Sequence, residues 1–137
     1  LKNARLISVA SKSKSKRENF KNQFKLKESY CYSDYSQIIF NNDIDIIYIA
    51  LPHNLHFEWI ENCIDNKKNV LSEKPATVLN KEIEKINEKL SDNNIFFAEG
   101  FMYRFHPQTS MLVDIIRQNQ IGDLYKMESF FGNNFIH

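Results

Sequence analysis

Glycine is scarce in this chain. Only three occur among 137 residues, Gly100, Gly122 and Gly132, and no two lie within six positions of each other. A glycine-rich phosphate cradle, whether GxGxxG or P-loop, cannot be assembled from that spacing. Cysteine is rarer still. Cys31 and Cys63 make neither a CxxC pair nor a disulfide framework, so a reducing compartment, the cytoplasm, is the expected location. No apolar run approaches the ~20 residues of a membrane helix, and the opening residues do not read as a signal peptide. Charge of one sign is lacking too: 18 basic residues stand against 17 acidic, a net of +1. That balance argues against whole-protein electrostatic binding to nucleic acid. Neither nucleic acid nor membrane is an expected partner.

What is present suits a packed core. Apolar residues make up 42% of the chain, and eleven Phe, six Tyr and one Trp supply bulk. The length allows one domain, or one and a piece of another. Four apolar runs stand out: Leu6–Ala10, Ile46–Leu51, Asn69–Leu71 with its flanks, and Ile95–Ala98. The second has no polar alternation, which predicts a parallel strand covered on both faces. Amphipathic segments separate the runs. Leu55, Trp59, Ile60, Cys63 and Ile64 fall at helical spacing, and Ile83, Ile86 and Leu90 form a second stripe, with Asn80 as its expected N-cap. Ser15–Phe24 and Tyr35–Phe40 are weaker helix candidates. Cys63 lies on an apolar stripe and reads as core.

Strands alternating with helices predict an α/β fold, a doubly wound parallel sheet of Rossmann type. After Gly100 the texture changes. Pro107 opens an amphipathic helix carrying Met111, Leu112, Ile115 and Ile116, and Leu124–Phe131 could form a strand. We therefore expect a partial dinucleotide-binding domain over 1–105 and the start of an α+β substrate domain over 106–137. The chain opens on Leu1 rather than Met, and we expect it to be an internal piece of a longer protein.

Four segments could carry chemistry. Val70-Leu71-Ser72-Glu73-Lys74-Pro75 delivers an acid, a lysine and a proline to the carboxyl end of a short strand, where open α/β sheets bind ligands. A lysine there can hydrogen-bond a substrate hydroxyl and stabilise negative charge on its oxygen. The plainer reading is a solvated charge pair before a proline turn. A cis bond is admissible at Lys74–Pro75. The segment Glu99 to Pro107 places Arg104 and His106 after another strand. Arg104 could hold a carboxamide or oxyanion through two hydrogen bonds, or the segment could be a linker. Leu51-Pro52-His53-Asn54-Leu55-His56 follows the longest run. No cysteine or carboxylate cluster accompanies its two histidines, so no metal is expected. A helix-capping turn is one role, and a loop along a bound dinucleotide is another. Finally, Ser11 and Lys12, followed by Lys14, Lys16 and Arg17, end the first run without a nearby acid. Basic and hydroxyl residues there suit a ribose 2′-phosphate, whereas an acid would suit the free 2′-hydroxyl of NAD. A solvated loop is the plain alternative.

Taken in order, these segments resemble the glucose–fructose oxidoreductase / inositol dehydrogenase / MocA (Gfo/Idh/MocA) family. The resemblance rests on Ile44 to Pro52, then His56 and its helix, then Lys67 to Pro75, then Glu99 to Pro107, and finally Ile121-Gly122-Asp123. It implies NAD(P)-dependent hydride transfer between a nicotinamide and a hydroxyl or carbonyl of a small polyol, sugar or dihydrodiol-like substrate. Carried over by position, Lys74 is the catalytic lysine that touches nicotinamide ribose and substrate, and Glu73 lies beside the cofactor. Leu51, Pro52, His53, Asn54 and His56 line the cofactor's path, and Arg104 sits near the nicotinamide. Ser11 and Lys12 meet the adenosine ribose or, in NADP, its 2′-phosphate. NADP is the preferred cofactor on this basis, NAD the alternative.

The family's first strand, glycine-rich turn and first helix do not appear in the chain, nor does most of its substrate domain. Strands at Leu6–Ala10 and Ile46–Leu51 then face an empty seam. The resemblance further implies that the parent pairs as a homo-oligomer through its C-terminal domain and that this chain alone is inactive. Two other readings stay open: a non-catalytic nucleotide-binding Rossmann module, and an interaction protein using the Ser/Lys run and exposed sheet edges.

Overall fold

A computed structural model of the chain describes residues 3–130 and residue 132. The chain falls into two compact units, 1–100 and 101–137.

In the first unit β1 (Val9–Ala10) leads through α1 (Lys14–Phe24) to β2 (Cys31–Tyr32), and α2 (Tyr35–Ile39) follows. Then come β3 (Ile46–Ile49), α3 (His56–Asp65), β4 (Asn69–Ser72), α4 (Asn80–Asp92) and β5 (Phe97–Glu99). All the ladders are parallel. β1 pairs with β2, placing Val9 opposite Cys31. β4 lies between β3 and β5, with Val70 opposite both Ile47 and Phe97. This is the Rossmann-type α/β arrangement expected. Among the described residues no ladder joins β1 to β3.

The core lies between the three-stranded sheet and its helices. Ile47, Ile49 and Val70 from the sheet meet Ile60, Cys63 and Ile64 of α3 and Ile86 of α4. The expected helical stripes therefore point inward, and Cys63 is core at 1% exposed. The expectation that β3 is covered on both faces is wrong among the described residues. Its side chains alternate, with Ile47 and Ile49 buried and Ile46 and Tyr48 at 47% and 57% exposed. An apolar run shows what a strand can bury, but coverage depends on which elements reach it. Within the expected apolar runs the strands are short, because a ladder extends only where a neighbour runs alongside. β2 is two residues long, too short to leave a periodic signal.

Capping also differs from expectation at one helix. Asn80 is the first residue of α4, and the cap position belongs to Leu79. Glu82 turns back to accept from the N–H groups of Val78 at 3.1 Å and Leu79 at 3.0 Å. The Glu82 carboxylate thus reaches back one turn to the backbone at and before the cap position, and Asn80 enters the helix as its first residue.

In the second unit, α5 (Pro107–Arg117) follows a short 3-10 turn over Met102–Phe105. Pro107 occupies the first helical position, as expected, and His106 Nδ1 caps it by accepting from the Gln108 N–H at 3.2 Å. The expected strand over Leu124–Phe131 does not form across 124–130, where the backbone is irregular and exposed; Phe131 lies outside the described residues. A strand needs a ladder partner, and among the described residues none runs beside it.

Candidate active site

The site is built at the carboxyl ends of β3, β4 and β5. Two backbone bonds align these ends: Glu73 N–H donates to Ile49 O at 2.9 Å, and Gly100 N–H donates to Ser72 O at 2.8 Å. Gly100 allows the close approach of β5 to β4, since a Cβ there would lie 3.3 Å from Ser72 O. Beyond the aligned ends, the chain turns at Glu73-Lys74-Pro75 and passes through a cis Lys74–Pro75 bond. Lys74 and Pro75 are exposed.

Glu73 faces back across the sheet. The Tyr48 hydroxyl on β3 donates a short hydrogen bond to its Oε1, and the Lys74 N–H donates to Oε2 at 3.4 Å. These two bonds hold the Glu73 carboxyl below the usual carboxylate range, with the Lys74 and His56 charges adding to the effect. The same bond pushes the Tyr48 phenol upward. Glu73 is thereby kept ionised beside the lysine.

The loop after β3 divides in two. Pro52, His53 and Asn54 are exposed along the strand end. Leu51 is half-buried, and its carbonyl lies 2.7 Å from His56 Nε2. His56, the first residue of α3, has no exposed surface. Its Nδ1 lies 2.7 Å from the Pro75 carbonyl, so its ring binds the protein's own backbone.

Ser11 and Lys12 follow β1 at the start of α1. Ser11 Oγ accepts from the Ser13 N–H at 3.3 Å, and the Arg17 guanidinium donates to Ser11 O. Ser13 Oγ caps α1. Lys12 is exposed, its Nζ 5.7 Å from the centre of the Tyr35 ring. Glu18 is drawn off by Lys21 at 2.6 Å, so that acid is engaged elsewhere. Arg104 lies in the 3-10 turn of the second unit and is exposed. Among the described residues, no group of three or more His, Cys, Asp or Glu is placed to hold a metal. Among the described residues, no helix is long and apolar enough to cross a membrane.

A family model described as an oxidoreductase family with an NAD-binding Rossmann fold, Gfo/Idh/MocA, matches residues 1–101. The chain belongs to the Gfo/Idh/MocA family. Trans-1,2-dihydrobenzene-1,2-diol dehydrogenase of Xenopus laevis is 28% identical over 127 residues, covering 93% of this chain and 38% of that protein. D-xylose 1-dehydrogenase (NADP(+)) 2 of Haloferax volcanii is 31% identical over 100 residues, 73% of this chain and 30% of that protein. Scyllo-inositol dehydrogenase of Lactobacillus casei, solved with bound NAD(H) and scyllo-inositol, superposes with a TM-score of 0.76 at 27% identity. That match covers 86% of this chain and 34% of that one. The chain thus spans little more than a third of the length of the Gfo/Idh/MocA proteins it matches.

Within this Gfo/Idh/MocA chain the fold brings Leu51, His56 and Glu73 around the Lys74–Pro75 turn, while Ser11 and Lys12 follow the other sheet. Sequence reasoning missed two participants. Tyr48 reads as one more apolar residue in a strand, and only its place across the ladder from Leu71, two residues before Glu73, hints at the bond. Glu99 Oε1 accepts from the Ala76 N–H at 2.7 Å. Its signal was an acid closing an apolar run just before a glycine.

Proposed function

We propose that this chain is part of an NAD(P)-dependent dehydrogenase or reductase acting on a hydroxyl or carbonyl of a small sugar, polyol or diol. The observation that carries the reading is Lys74, exposed beside an ionised Glu73 at the carboxyl end of the central strand, where such sheets take their ligands. The residues suit a dinucleotide. Pro52, His53 and Asn54 are open along the end of β3, and the hydroxyls of Ser11 and Ser13 with the Lys12 ammonium offer donors to a 2′-phosphate.

A nicotinamide cofactor, when bound, supplies the hydride chemistry. Lys74 hydrogen-bonds the substrate oxygen and stabilises the negative charge that grows on it. Glu73 stays anionic and balances the Lys74 charge. Arg104, carried from the family by position, approaches the nicotinamide. The rest of the protein supplies the proton-transfer group and, through its C-terminal domain, pairing into a homo-oligomer. Residues 106–137 begin that domain, the protein resides in the cytoplasm, and this chain by itself is inactive.

Lys74→Ala in the full-length protein tests the assignment, with NAD+ or NADP+ and a panel of D-xylose, scyllo-inositol and a trans-dihydrodiol. Turnover is expected to fall by about 10²–10³-fold, the loss typical of one charge-stabilising donor, with cofactor Kd unchanged. Unaltered turnover refutes the role of Lys74.

NADP is the proposed cofactor, because Lys12 is exposed after β1 and Glu18, the nearest acid along the chain, is paired with Lys21. Fluorescence titration of the full-length protein should show tighter binding of NADPH than of NADH; the reverse order overturns the preference.

A further inference from the structure

The peptide that joins Pro75 to Ala76 is held at both of its polar ends. Its carbonyl lies 2.7 Å from His56 Nδ1. Its N–H donates to Glu99 Oε1 at 2.7 Å. The two side chains come from different elements, His56 from the first turn of α3 and Glu99 from the last residue of β5. Pro75 has a fixed φ, so a peptide held just after it restrains the backbone of Lys74 just before it.

The histidine makes a second contact through its other ring nitrogen. Nε2 lies 2.7 Å from the Leu51 carbonyl. A carbonyl oxygen only accepts, and a neutral imidazole has a single N–H. Two carbonyls on two ring nitrogens therefore call for a hydrogen on each. Both separations sit at the short end of the range for charge-assisted N–H···O bonds. A neutral ring would set a nitrogen lone pair against a carbonyl lone pair at 2.7 Å, in a site with no exposed surface.

Glu99 stands at the far end of the same peptide, and Glu73 lies in the turn after β4, close enough for His56 to favour its ionised form. The His53 ring meets His56 edge-on, with 5.6 Å between centres. A donor at the carbonyl and an acceptor at the N–H polarise the peptide in one direction, so each bond strengthens the other.

We propose that His56 and Glu99 form a two-sided clamp on the Pro75–Ala76 peptide, that His56 donates from both ring nitrogens, and that the clamp positions Lys74. The ring is thus a positioning group; its polar atoms are spent on backbone and do not reach a bound cofactor. The last part of this proposal rests on the reading of Lys74 as the substrate lysine; the hydrogen-bond pattern stands without it.

The test uses the full-length protein. Two-bond ¹H–¹⁵N correlation of the histidine rings at neutral pH is expected to show two N–H nitrogens for His56. One pyridine-type nitrogen overturns the clamp as described. Turnover of His56→Gln is then compared with wild type, and repeated in a Lys74→Ala background, using the substrate panel above. His56→Gln is expected to lower kcat about tenfold or more with cofactor Kd unchanged, and to have no further effect once Lys74 is absent. Equal losses in both backgrounds overturn positioning through Lys74. Glu99→Gln keeps an acceptor for Ala76 and is expected to lose much less than Glu99→Ala; equal losses overturn the role of Glu99. Should Lys74→Ala leave turnover unchanged, the substrate reading fails, while the ring spectrum still decides the clamp.

Discussion

Replacing Ile60 with alanine in the full-length protein probes the packing that carries the site. Ile60 lies on α3, has no exposed surface, and belongs to the cluster formed with Ile47, Ile49, Val70 and Ile86. The change removes three carbons. At ~0.8 kcal/mol for each buried methylene, the transfer loss is about 2.4 kcal/mol. The cavity adds to it, because β3 and β4 below and α4 beside it relax only in part, and the total falls within about 2–5 kcal/mol. Ile60→Val removes one carbon and should cost roughly 0.5–1.5 kcal/mol. Urea unfolding followed by far-UV circular dichroism gives both values, provided the slopes agree with wild type. The order wild type, valine, alanine is expected. A loss below about 1 kcal/mol for Ile60→Ala refutes the packing of α3 on the sheet at this point. Since α3 begins at His56, such a result would also loosen the support under the Pro75 turn.

Two further outcomes follow from the electrostatics. Burial pushes the Cys63 thiol up to about 12, so iodoacetamide at pH 8 should leave Cys63 unmodified in the native protein and label it in urea, as read by peptide mass. Native labelling at the unfolded rate contradicts the burial. Glu61 is held below its ordinary value by Lys85 first and then by Lys89, which link α3 to α4 at 2.6 and 3.1 Å. A depressed carboxylate binds its proton less readily when folded than when unfolded. Its contribution is therefore complete above the unfolded value and is lost as pH falls through the folded one. Glu61→Gln should lower stability at pH 6 by at most about 1 kcal/mol and reduce the fall in stability between pH 6 and pH 3. An unchanged acid profile refutes the coupling.

What the sequence by itself determined was local. Ile60, Cys63 and Ile64 share a face because a helix repeats every 3.6 residues, and that holds whatever the helix packs against. Pro107 opens α5 because its missing N–H costs nothing there. Glu73-Lys74-Pro75 falls at a strand end because the apolar residues stop at Leu71. Such features depend on near neighbours in the chain, so spacing reveals them, and the absence of paired glycines was legible in the same way.

Tertiary structure decided whatever joins distant residues. The alternation along β3 was invisible in an unbroken apolar run, since the sheet and helices settle which face is buried. Leu124 to Phe130 had strand-forming composition but, among the described residues, no strand beside it. Asn80 looked like a cap, but the cap position belongs to Leu79, whose N–H donates to the Glu82 carboxylate. Tyr48 meets Glu73 across 25 positions, and Glu99 meets Ala76 across 23. His56 was read as one more residue lining a cofactor's path. Its ring lies 2.7 Å from two backbone carbonyls, one 5 positions before it and one 19 after. A hydrogen bond needs its partners within about 3 Å, and only the folded chain brings residues so far apart to that distance.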